Sequence, residues 1–187
     1  MKEKLQPAVI WITGLSASGK TTIAISLVEE FKKQNIQPEL LDGDEIRDKL
    51  ELHAFDEESR KKYNHTVGSM AAELERKGKI VIVSLISPYN DVRNAIRKIC
   101  ANFIEVYLST SIATCMERDP KGLYRKALNG EIKDFTGVSA PYEIPQHPEL
   151  ILDTSCTDVD QCRNSIMKLY LSRVQTKSLR TKMTITE

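Results

Sequence analysis

Ile10-Trp11-Ile12-Thr13-Gly14-Leu15-Ser16-Ala17-Ser18-Gly19-Lys20-Thr21-Thr22 is the stretch that decides the fold. Its first half extends Ala8-Val-Ile-Trp-Ile-Thr13, a short, apolar, β-branched run that reads as a buried strand. Its second half, Gly14 to Thr21, matches G-x-x-x-x-G-K-[ST] in full. Beyond it Ile23, Ala24, Leu27, Val28 and Phe31 recur at helical spacing, which predicts an amphipathic helix over about 20–33. A strand, a glycine-rich turn and a helix in that order form a cradle for a nucleoside triphosphate. Gly14 and Gly19 let the backbone curl so that consecutive N–H groups face a phosphate. The helix N-terminus adds partial positive charge. Lys20 bridges the β- and γ-phosphates, and the Thr21 hydroxyl ligates Mg²⁺. The run from Gly14 through Thr22 is therefore the expected ATP site, although it does not name the acceptor.

The rest of the chain repeats strand and helix signals. Pro38-Glu-Leu-Leu41 reads as a strand ending at Asp42-Gly43-Asp44, and 45–50 as a short helix. A long helix over 57–77 carries Tyr63, Val67, Met70, Ala71 and Leu74 on one face and stops at Gly78. Ile80-Val-Ile-Val-Ser-Leu-Ile86 is apolar on both faces, as a central parallel strand must be. A helix through Val92 and Ile96, a strand over 103–108, a short helix over 112–117, a strand over 150–152 and a closing helix from Val159 follow. This alternation predicts an α/β protein of the P-loop NTPase fold, a parallel sheet with helices on both faces. Between Asp119 and Pro148, charges, glycines and four prolines crowd together with little apolar pattern, the signature of a functional loop. We expect a lid over about 119–145, and a polar, frayed tail over 176–187.

The 187 residues suit one domain, with 41% hydrophobic and 28% charged residues. Lys plus Arg is 27 and Asp plus Glu 26, a net charge of +1. That balance argues against a general nucleic-acid binder and makes any anion recognition local. No apolar run approaches the roughly 20 residues of a membrane span, and no secretory signal follows the charged N-terminus. The four cysteines show no C-x-x-C pair and no metal-ligand spacing with the three histidines. They read as free thiols in a reducing cytoplasm.

In an open parallel sheet, ligands gather at the carboxyl ends of the strands. Asp42 and Asp44 sit at such an end, where they can hold Mg²⁺ or take the proton of an attacking hydroxyl. The plainer alternative makes Asp44 an ordinary helix N-cap. Arg47 and Arg60 are suited to a bidentate grip on phosphate or sulfate, or are surface charges. Ser87-Pro88-Tyr89 turns the chain over the same edge.

Three stretches resemble the adenylylsulfate kinases: the loop Ile12–Thr22, Leu41-Asp-Gly-Asp-Glu-Ile-Arg47 and Ile86-Ser-Pro-Tyr89. So do Arg118-Asp-Pro-Lys-Gly-Leu-Tyr-Arg-Lys-Ala127, Gly130-Glu-Ile-Lys133, Phe135-Thr-Gly137 and Pro141-Tyr-Glu143. The likeness covers about 10–154. That family makes 3′-phosphoadenylyl sulfate from adenylyl sulfate and ATP. The resemblance implies that Asp42 and Asp44 lie near the 3′-hydroxyl and Mg²⁺, and that Arg47 and Arg60 bind the phosphosulfate. It also implies that Phe55 and Phe135 sandwich the acceptor adenine while Ile86 lines it. Ser87 matches a serine recorded in the family as phosphorylated. Lys121, Gly122 and Leu123 belong to the lid, with Lys121 offsetting phosphate charge, and Arg118 packs on the ATP base. A homodimer is a further implication.

The departures lie on the acceptor side. The family's Asn three residues after the helix Arg is Tyr63 here, and Asn64 follows one step later, at i+4 from Arg60. The arginine pair that follows is His65-Thr66, and the Arg after Ser-Pro-Tyr is Asn90. The segment between Arg47 and Phe55 is one residue short. Three readings follow: an adenylylsulfate kinase, a relative retuned to another activated nucleotide, and a nucleotide-binding module without catalysis. Replacing Asp44 with Asn separates the last from the first two.

Overall fold

The computed structural model describes residues 6–51 and 54–184; the charged run 1–5 lies outside the described residues. Five parallel strands form one sheet in the order β2-β3-β1-β4-β5. They are β1 (Ala8–Gly14), β2 (Glu39–Asp42), β3 (Ile80–Ser84), β4 (Phe103–Leu108) and β5 (Leu150–Leu152). Helices α1 (Lys20–Lys33), α2 (Gly43–Lys49), α3 (Glu57–Arg76) and α4 (Asn90–Ile99) alternate with them. α5 (Ile112–Arg118), α6 (Leu123–Leu128) and α7 (Val159–Thr184) complete the chain.

Strand alternation divides the core. Ala8, Ile10 and Ile12 of β1 and Ile80 and Ile82 of β3 face α1 and α7, whose Ile23, Leu27, Phe31, Ile166 and Tyr170 close that layer. Val9, Trp11, Val81 and Val83 face the opposite way, against Tyr63, Val67 and Ala71 of α3 and Val92 and Ile96 of α4. Each central strand is thus apolar on both faces because each face carries a helix layer. Gly68 on α3 meets α4 closely: a Cβ there would lie 2.5 Å from Ile96 Cγ1.

Two expectations change. The segment after Asp119 has a small core of its own, in which Cys115, Tyr124, Ala127 and Phe135 pack with Leu15 and Ala17 of the phosphate loop. Its apolar residues are few and irregularly spaced, so the sequence showed no period. The tail is helical through Thr184, and residues 185–187 lie outside the described residues. No glycine or proline interrupts that run, so helix propagation carries on. Among the described residues no helix is long and apolar enough to cross a membrane. Cys100, Cys115 and Cys162 are buried free thiols and Cys156 an exposed one.

Candidate active site

β1, β2 and β3 end side by side, which brings the phosphate loop, Asp42 and Ser84 to one edge. The sheet register pairs Asp42 with Ser84 and Ser84 with Ile12. At Gly14 a Cβ would lie 2.9 Å from the Leu108 carbonyl oxygen, so only glycine lets the loop leave the sheet here. Ala17 (φ 60°) and Gly19 (φ 94°) turn the backbone through left-handed conformations into α1. The Lys20 ammonium donates to the Leu15 carbonyl at 2.6 Å. Burial lowers its pKa to about 8, so the loop holds a cation that a phosphate would restore to full charge.

The Thr21 hydroxyl donates to Asp42 Oδ2 at 2.8 Å and lies 3.3 Å from Ser84 Oγ. Asp42 Oδ1 accepts the Asp44 backbone N–H at 3.1 Å. The N-cap of α2 is therefore Asp42, not Asp44, because the helix begins two residues earlier than expected. This leaves the Asp44 carboxylate for the lid: it is ion-paired with Lys121 through Oδ2, and both side chains are exposed. The hydrogen bond to Asp44 raises the Lys121 pKa.

The acceptor-side residues fall into two groups. Arg60, Asn64 and Ser87 are buried polar residues, and Arg60 Nη1, Asn64 Oδ1 and Ser87 Oγ have no hydrogen-bond partner. Arg60 Nη2 donates to the Asp134 carbonyl and Asn64 Nδ2 to the Arg60 carbonyl at 2.8 Å. Ser87 has φ 46°, a conformation a non-glycine residue holds only when its surroundings enforce it. Here Arg93 Nη1 grips its carbonyl, while Arg93 Nε lies 3.0 Å from Glu105 Oε1. The neighbouring Ile86 is partly buried, and its carbonyl accepts from Thr13 Oγ1 at 2.6 Å.

In the second group, Arg47 lies between two rings, its Cζ 4.5 Å from the Phe55 centroid and 4.3 Å from that of Tyr63. Phe135 is buried and meets Tyr124 edge-on at 5.0 Å. Phe55 and Phe135 are thus each committed to a different protein partner. A sandwich around a base requires Phe55 to offer its other face.

The lid reaches the loop directly, with Tyr124 Oη donating to the Ser16 carbonyl at 3.1 Å. Gly122 (φ 66°) caps α6, and Leu123 packs at the edge of the lid core. The far end of the lid is tied down. Glu143 N–H donates to the Pro88 carbonyl at 2.8 Å, Arg93 Nη2 to the Glu143 carbonyl at 2.6 Å, and Asn90 N–H to the Glu143 carboxylate at 2.7 Å. Asn90, where the resembled family has Arg, also donates to the Ile144 carbonyl at 3.2 Å. Arg118 clamps Thr154, donating to its hydroxyl at 2.7 Å and its carbonyl at 2.6 Å. The Thr154 hydroxyl in turn donates to the Ser18 carbonyl at 2.9 Å. Ser84, Arg93 and Thr154 were not singled out from the sequence. The one available signal was the lone hydroxyl of Ser84 inside an apolar strand.

The match to the family model "Adenylylsulphate kinase" runs over residues 6–153. The chain belongs to the adenylylsulphate kinase family. The adenylyl-sulfate kinase of Bacillus licheniformis is 43% identical over 170 residues, covering 89% of this chain and 86% of that protein. The probable adenylyl-sulfate kinase of Bacillus subtilis is 42% identical, covering 92% and 89%. Among solved structures, the APS kinase of Mycobacterium tuberculosis in complex with AMPPNP and APS superposes with a TM-score of 0.84 at 34% identity, covering 88% of this chain and 97% of that one. A gluconokinase of Sinorhizobium meliloti, at 16% identity and a TM-score of 0.60, shares the fold.

Proposed function

We propose that this chain transfers the γ-phosphoryl group of ATP to the 3′-hydroxyl of adenosine 5′-phosphosulfate, giving 3′-phosphoadenylyl sulfate and ADP. The observation that carries the reading is the Asp44–Lys121 pair: a carboxylate and a lid cation meet two residues beyond the Asp42–Thr21 contact. Asp44 orients the 3′-hydroxyl and accepts its proton as the new O–P bond forms and the bond to the β-phosphate oxygen breaks. Lys20 and Lys121 stabilise the negative charge on the transferring group and the departing ADP.

Thr21 Oγ1, with Asp42 Oδ2 and Ser84 Oγ each within hydrogen-bond distance of it, presents a set of hard oxygen ligands that suits Mg²⁺. The ion, when bound, neutralises charge on the β- and γ-phosphate oxygens. Arg60, Asn64 and Ser87 offer buried, unpartnered donors and acceptors to the adenylyl sulfate, and Arg47 adds a cation at the rim. Arg118 and Thr154 shape the wall beside the ATP base. The lid over 119–140 closes on both substrates and keeps water from the γ-phosphate, since a kinase that closes on ATP alone hydrolyses it. The tethered strap 141–145 is its fixed anchor. Activity as a homodimer in the cytoplasm completes the proposal.

Incubating the pure protein with ATP, Mg²⁺ and adenylyl sulfate, followed by anion-exchange chromatography, tests the assignment. A 3′-phosphorylated product is the expected result. Faster ATP consumption with another nucleotide derivative would transfer the assignment to that acceptor. The tie between Asn90 and the strap, in place of a cation, is the observation that favours such a retuned acceptor.

A further inference from the structure

Tyr63 and Asn64 are adjacent on α3 and therefore point about 100° apart. Asn64 turns toward Arg60 and leaves Oδ1 unpartnered within the acceptor group. Tyr63 turns to α2. Its hydroxyl donates to the Gly43 carbonyl at 2.5 Å, and its ring lies 4.3 Å below the Arg47 guanidinium. The side chain is almost fully buried, at 3% exposure.

Gly43 is the residue between Asp42, which contacts Thr21, and Asp44, which meets Lys121. It is pressed from its other side as well: a Cβ there would lie 2.5 Å from Leu85 Cδ2 and 3.2 Å from the Ser84 carbonyl oxygen. The acidic turn is thus held between the end of β3 and the Tyr63 hydroxyl. Burial pushes the phenol pKa up to about 12, so at neutral pH it is a standing donor. The Phe55 ring also meets the Arg47 guanidinium, its centroid 4.5 Å from Cζ, and Arg47 Nη1 donates to the Ala54 carbonyl at 3.0 Å.

We propose that Tyr63 is a positioning residue: one side chain sets the carboxylate that receives the acceptor's proton and the arginine that meets its anionic end. The inference rests on the assignment of adenylyl sulfate as acceptor. It makes Tyr63 a bridge between two groups that a shorter Asn at this position, as in the resembled family, does not span. The departure from the family pattern then lies behind the site rather than in it.

The test is steady-state kinetics of Tyr63→Phe and Tyr63→Asn, with ATP and adenylyl sulfate varied separately and melting temperatures measured alongside. Tyr63→Phe keeps the ring under Arg47 and loses only the hydroxyl, so kcat falls about fivefold to tenfold while both KM values stay within about twofold of wild type. Tyr63→Asn also strips the ring, so the KM for adenylyl sulfate rises at least about tenfold in addition, with the KM for ATP again unchanged. Wild-type parameters in both variants overturn the proposal. So does an equal loss for ATP and acceptor that tracks the fall in melting temperature, which is what a purely structural tyrosine gives.

If wild type itself does not turn over adenylyl sulfate, the acceptor assignment fails, and Tyr63 is judged by phenylglyoxal labelling of Arg47, read by peptide mass spectrometry. Labelling at least about threefold faster in Tyr63→Asn upholds the bridge, because a guanidinium stripped of one covering ring is more accessible. An unchanged rate overturns it.

Discussion

The donor and acceptor halves of the site are built in opposite ways. The phosphate loop is local: one strand, one turn and one helix, its hooks drawn from consecutive residues. Lys20 and Thr21 already have partners in the Leu15 carbonyl and Asp42. The acceptor wall is assembled from α2, α3, the end of β3 and the lid. Arg60, Asn64 and Ser87 each leave a buried polar atom unpaired there. Buried polar groups without partners are costly, so a ligand that supplies the missing bonds gains more there than at a satisfied surface. On the proposed assignment, the loop is preformed for a nucleoside triphosphate and the wall carries the acceptor selectivity.

The comparison breaks most sharply at Asp44. Asp44→Asn removes the proposed base but keeps the shape, and we expect kcat to fall about 10²–10⁴-fold. Its pairing with Lys121 is between exposed side chains, so the melting temperature stays close to wild type. A pure binding module would retain nucleotide affinity and lose nothing measurable, which a parallel ADP titration checks.

Lys20→Met probes the donor half. We expect a loss of about 10²–10³ in kcat, the scale of removing one preorganised charge from a transition state. The pH dependence has a definite sign. With the folded pKa lowered to about 8, kcat/KM for ATP is flat below that pH and falls above it as Lys20 deprotonates. In the ligand-free protein the unfolded chain holds more protons than the folded one between about pH 8 and the ordinary lysine value near 10.4, so this group makes stability rise with pH across that window. Melting curves of wild type and Lys20→Met should therefore differ most below pH 8 and converge above it, with the Met variant the more stable at neutral pH.

Arg60→Ala tests the unpaired wall. In the proposed role, removing this cation should raise the KM for adenylyl sulfate about tenfold to a hundredfold and leave that for ATP within about twofold. An equal rise for both substrates would place Arg60 in the scaffold. The smallest effect is expected at the join between the halves. Tyr124→Phe loses the bond from lid to Ser16 carbonyl, about 0.5–1.5 kcal/mol. Hydrogen exchange should then report faster opening of 119–140, with the strap 141–145 unchanged because its anchors lie on α4 and the turn before it.

Much of the donor half was legible in the sequence, because its information is contiguous. The strand, the glycine pattern and the helix period of 8–33 lie within reach of one another, and the structure reproduces them with α1 at Lys20–Lys33. The acceptor half was legible as residues but not as contacts. Asp42 and Asp44 are legible as a pair, yet which of them caps α2 depends on where the helix begins, a matter of two residues that propensity does not resolve. The contact of Phe55 with Arg47 is not legible in the sequence. That position depends on the approach of α3 to α2, across a segment one residue shorter than the family pattern.

The sequence by itself determined the chemistry of this protein. It specified a phosphate loop between strand and helix, two carboxylates at the end of the next strand, and a basic lid segment, because each is a run of neighbours obeying local backbone rules. Only the tertiary structure decided the partnerships. The sheet register sets Ser84 beside Asp42, helix packing carries Tyr63 to Gly43, and chain closure delivers Thr154 to Arg118 and Glu143 to Arg93. These contacts join residues 20 to 50 positions apart, and no periodicity or propensity of a short window encodes which distant side chain completes a hydrogen bond.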